Sequence, residues 1–314
     1  MKIKNNLLLT LISIFSIISI STVIFMVYSE ANIFNETEMS ESIKPLMKGR
    51  NTQSLIDGVV KYGDAIVPLL IEKYKVLEDE KCYLMITCLC KISSERALKF
   101  VRQVIQEHDK RLSVGCAIRE YPHEREDDII QSLIELLNVE YVEYYASERL
   151  EKMIIRNSCR AVFLINALDD KKTVEYNGKL GNILGLVSGY RQTETSYTPP
   201  GQDQVLFYNK FWRDWWNRNR DKEVFEWLIE AINTENVARK AYALQIMGTL
   251  MDQRAAPYFV ASLDDKSENV RFWAVVGLRE LDGTYPSTGY SWETFKNEEE
   301  EIIDFLKHKF KNSR

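Results

Sequence analysis

The sequence predicts an all-α chain, an α-solenoid of stacked helix pairs behind an N-terminal apolar helix. Three observations predict it. Apolar residues recur at helical spacing almost throughout. Alternating strand-like patterns are nearly absent, and no NG or DG turn separates two strand-like runs. Near the C-terminus a helix–turn–helix pattern repeats, with Asn236-Val237 returning as Asn269-Val270.

The elements follow in chain order. Lys2 and Lys4 lead into residues 7–28, which run without a charge from end to end. A helix of that length spans a bilayer core at about 1.5 Å per residue. The flank after it carries Glu30, Glu36, Glu38 and Glu41 and no basic residue as far as Glu41. The positive-inside bias therefore places Met1 in the cytoplasm and the rest of the chain across the membrane. Residues 1–31 read either as an uncleaved signal anchor or as a signal peptide cut after Ala31, where Ser29 and Ala31 supply the small residues. The length of the apolar run favours the anchor. Its six Ser and Thr residues favour cleavage, which would leave a secreted or periplasmic protein.

Residues 32–49 read as a linker, and residues 50–168 as a first set of helical repeats. Ile66, Leu69, Leu70 and Tyr74 form one apolar stripe, with Pro68 tolerated in the first turn. Ser94 opens the next clear helix, whose buried face is Leu98, Val101, Val104 and Ile105. Asp127 and Asp128 open another, with the stripe Ile129, Leu133, Leu136 and Leu137. The helical pattern breaks in residues 169–207, a Gly- and Pro-bearing insert. Within it, residues 190–204 read as an exposed loop, either a contact loop or a plain linker.

Residues 208–314 carry the clearest repeats. Helices are expected over 224–232, 237–250, 255–263 and 270–281. Ala241 recurs as Ala274 at the same spacing that relates Asn236-Val237 to Asn269-Val270. One helix pair cannot bury its own apolar face, but neighbours stacked on it can. The stretch RAAPYFVASLDDKSENVRFWAVVGLREL, residues 254–281, resembles a HEAT-like repeat of the short bacterial, bilin-lyase type. The matching features are Ala256-Pro257, Asp264-Asp265 in the turn, Val270-Arg271, Ala274 and Leu278. YGDAIVPLLIEKYK, residues 62–75, resembles the first helix of another such unit. The resemblance implies a right-handed solenoid that binds a partner on its concave face.

Composition limits the functions open to such a chain. Of its 314 residues 45% are hydrophobic and 28% charged, ordinary for a folded protein. Lys plus Arg total 41 against 46 Asp plus Glu, a net charge of −5, which argues against a nucleic-acid partner. Three histidines leave little for multi-histidine metal sites, and neither metal nor cofactor is expected. Cys82, Cys88, Cys90, Cys116 and Cys159 are odd in number and contain no CxxC. They read as small core residues, with one disulfide open in an oxidising compartment.

The most unusual local composition is residues 208–227, which hold Trp212, Trp215, Trp216 and Trp227. Trp212, Trp215 and Trp216 share one helical face, flanked by Arg213, Arg218 and Arg220. Such a face either plugs a seam between helices or makes a stacking and cation–π platform for a glycan or peptide. The candidate binding residues are therefore Trp212, Arg213, Trp215, Trp216, Tyr190 and Tyr197.

Three other features read as structural. Gly181, Gly185 and Gly189 lie on one helix face and suit close packing or a flexible loop. Residues 123–128, HEREDD, lack HExxH spacing and read as a solvated turn before the next helix. They also provide a single His-Glu pair, where the HEAT-like deoxyhypusine hydroxylases use repeated ones. Glu298 to Glu301 read as an acidic first turn before Ile302. No GxSxG or phosphate-loop motif is present, and no catalytic residue stands out. The expected function is a membrane-tethered, extracytoplasmic scaffold for a protein or peptide partner. The alternatives are a glycan-binding module built on the tryptophans, or a HEAT-like lyase-type enzyme.

Overall fold

The computed structural model describes residues 36–48, 53–190, 202–284 and 290–310. Among them every regular element is helical, and the helices pack on their sequence neighbours. The expected span 7–28, the cleavage point after Ala31 and the candidate contact residue Tyr197 lie outside the described residues. No helix among the described residues is long and apolar enough to cross a membrane. The chain divides into two compact units, residues 1–125 and residues 126–314.

The first unit contains α1 (Glu36–Met47), α2 (Gln53–Val60), α3 (Val67–Val76), α4 (Asp79–Ile92), α5 (Glu95–Glu107) and α6 (Arg111–Glu120). Its most extensive packing is between α4 and α6, with α3 and α5 alongside α4. The expected stripes are buried: Leu70 and Tyr74 on α3, and Leu98, Val101, Val104 and Ile105 on α5. Ser94 caps α5 by accepting a hydrogen bond from the Ala97 backbone N–H.

Helix ends in this unit are satisfied by groups from other helices and turns. The Asp79 carboxylate accepts from the backbone N–H groups of Leu112 and Ser113 at 2.7 and 3.0 Å, closing the start of α6. The Lys110 ammonium donates to the carbonyls of Tyr74 and Leu77 at 2.8 Å each, closing the end of α3. Each of these bonds ties one helix pair to the next along the chain.

The second unit contains α7 (Ile130–Leu136), α8 (Glu143–Arg156), α9 (Ala161–Ala167), α10 (Val174–Ser188), α11 (Gln202–Asn219), α12 (Val224–Ile232), α13 (Val237–Thr249), α14 (Ala256–Ser262), α15 (Glu268–Leu281) and α16 (Trp292–Lys309). The four helices expected over 224–281 all form, with ends close to those expected. Asn236 caps α13 by accepting from the Arg239 N–H, and Glu223 with Glu226 makes a capping box on α12. α13 packs lengthwise on α15, with α12 beside α13 and α14 beside α15. This contact brings Gly248 against Gly277, where a Cβ on Gly248 would lie 3.4 Å from the Gly277 Cα. Asp265 holds the intervening turn, accepting from Lys240 Nζ at 2.7 Å and from the Ser267 N–H at 2.9 Å.

Three local expectations change. Residues 36–47, expected as part of a linker, form α1, whose Met39, Ile43 and Leu46 are buried. α16 begins at Trp292, capped by Ser291, so Glu298 to Glu301 sit in mid-helix. Of the two readings left open for the glycine-bearing stretch, the packed helix is the one found: it forms α10, ended by Gly189 at φ +72°. A Cβ on Gly181 would collide with Tyr208 and Trp212, so α10 and α11 approach only because that side chain is missing.

The third change concerns Glu126. In place of a solvated turn, residues 123–128 form a 3₁₀ turn in which the Glu126 side chain is fully buried. Arg149 and Arg160 pair with it at 2.9 and 2.7 Å, and Arg156 joins them. A buried carboxylate needs such partners, because desolvation alone would expel the charge.

Candidate functional site

The tryptophan face of α11 points into the core. Trp212 and Trp215 are each 2% exposed and Trp216 9%. Trp212 meets Trp215 edge-to-face at 5.6 Å, and Trp215 meets Trp227 at 4.9 Å. The Trp227 indole N–H donates to the Asn219 carbonyl at 3.0 Å. These rings fill the space between α10, α11 and α12, and leave no face open to a glycan or peptide. The stacking-platform expectation is corrected on that ground, since a platform needs at least one exposed ring face.

The remaining candidates separate. Arg213 pairs with Asp170 at 3.0 Å and donates to the Leu168 carbonyl at 2.8 Å, tying α11 to the end of α9. The Asn209 amide and Arg213 hold the Asp170 carboxyl below its ordinary value. The Tyr190 ring lies edge-on to Trp212 and Trp215, and the Arg239 guanidinium covers it at 3.5 Å from the ring centre. Trp212, Trp215, Trp216 and Tyr190 thus come together, as structure.

Among the described residues, a site open to a ligand is a cleft in the second unit that local sequence gave no sign of. It has a volume of about 830 Å³. Three separated segments line it: the end of α8 with the turn after it, the start of α12, and the end of α13 with the turn into α14. Ile155, Val224, Phe225 and Leu250 give it apolar surface. Glu151, Glu223 and Asp252 give it carboxylates, and Lys152, Arg156 and Arg254 give it cations.

Local sequence positions each group. Glu151, Lys152, Ile155 and Arg156 fall at i, i+1, i+4 and i+5 on α8, the face opposite its buried Leu150 and Met153. Glu223 is the N-cap of α12, so its side chain stays at the helix mouth. Asp252 accepts from the Arg254 N–H at 2.9 Å, which closes the turn and turns both side chains toward the cleft. Arg254 then pairs with Asp252 at 2.7 Å and Glu223 at 3.2 Å, and covers the Phe225 ring at 4.6 Å. The Arg254 side chain holds the Asp252 carboxyl below its ordinary value.

Glu151 behaves in the opposite way. Burial, reinforced by nearby Glu148 and opposed by Lys152, pushes its carboxyl up. The cleft thus offers apolar surface flanked by charges of both signs. The lining contains neither histidine nor cysteine. Among the described residues no group of three or more His, Cys, Asp or Glu comes together in a way that would hold a metal ion. No protein-family model matches the chain, and no curated protein matches it at a significant level.

Proposed function

We propose that the chain is an interaction protein built as a HEAT-like α-solenoid, tethered by residues 7–28 with its helical units outside the cytoplasm. The cleft of the second unit takes an extended segment of a protein partner. The observation that carries this reading is the cleft itself, with apolar surface, paired charges on its rim and room for several side chains. The long packing of α13 on α15, and of α4 on α6, supports the repeat architecture, because it joins every second helix.

Two experiments test the reading. A photo-crosslinking residue in place of Thr249, an exposed position on the cleft wall, should trap a specific protein in the native membrane. Widening the side chain with Thr249→Trp should displace that partner. Failure to trap any protein from Thr249 would end the reading.

Location is tested by thiol labelling. Four cysteines are buried and Cys159 alone is exposed, so a membrane-impermeant maleimide reports on one site. It should label Cys159 on intact cells, or once an outer envelope layer is opened, and Cys159→Ser should abolish the signal. Labelling that requires rupture of the inner membrane would place the helical units in the cytoplasm.

A further inference from the structure

Glu151 stands apart from the other charged groups of the cleft. Arg254 is shared between Asp252 and Glu223. Lys152 pairs with Glu148 at 2.6 Å. Arg156 belongs to the group around Glu126, with Arg149, Arg160 and Asp127. Among the described residues Glu151 has neither an ion pair nor a hydrogen bond, although its side chain is partly buried. A desolvated carboxylate without a partner is costly, and a cation supplied from outside offsets that cost. Ile155 lies one turn along the same face of α8, and Leu250 and Phe225 complete an apolar wall.

We infer that Glu151 is the specificity residue of the cleft, where it binds the ammonium or guanidinium of a partner's lysine or arginine side chain while an adjacent apolar side chain of that partner lies on Ile155, Phe225 and Leu250. This rests on the reading of the cleft as a polypeptide site. Charge complementarity selects the occupant, since every other charged lining group already has a partner within the protein.

The interaction depends on pH. In the free protein the raised Glu151 carboxyl takes up its proton above the ordinary glutamate range. A bound cation drives that proton off. Affinity is therefore full above the raised value and falls as pH drops through it. The groups around Glu151 are Glu148, Lys152 and Arg156 on α8, Glu223 at α12, and Asp252 and Arg254 beyond α13. The same shift acts on folding. The ionised carboxyl is disfavoured in the folded state, so Glu151→Gln should raise the thermal midpoint at neutral pH. That gain should vanish in acid, where the native carboxyl is protonated as well. The variant therefore keeps its fold and is a clean probe.

The test is selection of a random peptide library on the full chain in lipid nanodiscs, scored for peptides whose binding Thr249→Trp abolishes. Those peptides should carry a lysine or arginine. Changing it to glutamine, or making Glu151→Gln in the protein, should each weaken binding about tenfold, and the two losses should not add. Binding should weaken as pH falls through the raised Glu151 value for the native protein and stay level for Glu151→Gln. Separate lysine and arginine versions of one peptide distinguish ammonium from guanidinium. Cleft-dependent peptides without a basic residue, or losses that add, would overturn the cation role and leave the cleft reading standing. Absence of any cleft-dependent peptide would remove both.

Discussion

Replacing Glu126 with alanine should destabilise the second unit by about 3–5 kcal/mol, the cost of leaving buried charge without its partner. Glu126 is fully buried, and Arg149, which it neutralises, has a side chain only 6% exposed. Arg160 is little more exposed at 14%, and it has Asp127 as a second partner at 2.8 Å. Removing the central carboxylate leaves guanidinium groups facing one another in low dielectric. Asp127→Ala is the control. That carboxylate is 65% exposed, and exposed ion pairs contribute about 0–1 kcal/mol. Urea titration followed by circular dichroism checks both. A Glu126→Ala midpoint equal to that of Asp127→Ala would show that the three arginines do not depend on it. Salt sharpens the test, because the buried group should respond little to ionic strength and the Asp127 pair should respond more.

The second large effect belongs to the tryptophan seam. Trp215→Ala should cost about 3–5 kcal/mol, the range for a large aromatic lost from a packed core. Trp215 touches Trp212, Trp227 and Tyr190, and sits between α10, α11 and α12. Collapse into its space is limited, because the Tyr208 and Trp212 rings already lie against the α10 backbone at Gly181. Arg213→Ala, on the same helix, should cost about 1 kcal/mol, because its pair with Asp170 is 41% exposed on both sides. Thermal melts of the two variants separate the roles. If Trp215→Ala melted with the native protein, the ring would be free for a ligand and the core assignment would fall.

Function and stability meet at α8. Its inner face carries Arg149 to the Glu126 cluster, and its outer face carries Glu151 and Ile155 to the cleft. Arg156 belongs to both, lining the cleft while pairing with Glu126. The cluster therefore fixes where the cleft-lining turn of α8 lies. A Glu126 variant that still folds should bind cleft peptides more weakly, although Glu126 does not line the cleft.

Much of the helical pattern was readable from residue spacing. Leu98, Val101, Val104 and Ile105 are buried as their periodicity requires, and Ser94 caps the helix they form. Helix boundaries over 224–281 follow from caps and turn residues that act on their near neighbours in the chain. The tryptophan spacing showed a shared face and left its surroundings open, since helical periodicity looks the same toward a core or a ligand. Glu126 shows the same limit more sharply. A glutamate in HEREDD looks like a solvated residue, because the arginines that bury it, Arg149, Arg156 and Arg160, come only after another helix has intervened.

Secondary structure, helix caps and most buried stripes are local properties. They depend on interactions within one or two helical turns, and residue order states those directly. Burial of a particular charge, the direction a tryptophan face points and the meeting of Glu151, Phe225 and Leu250 in one cleft depend on packing between distant helices. Those contacts arise from shape and charge fitting between segments far apart in the chain, so they emerge only once the helices are docked.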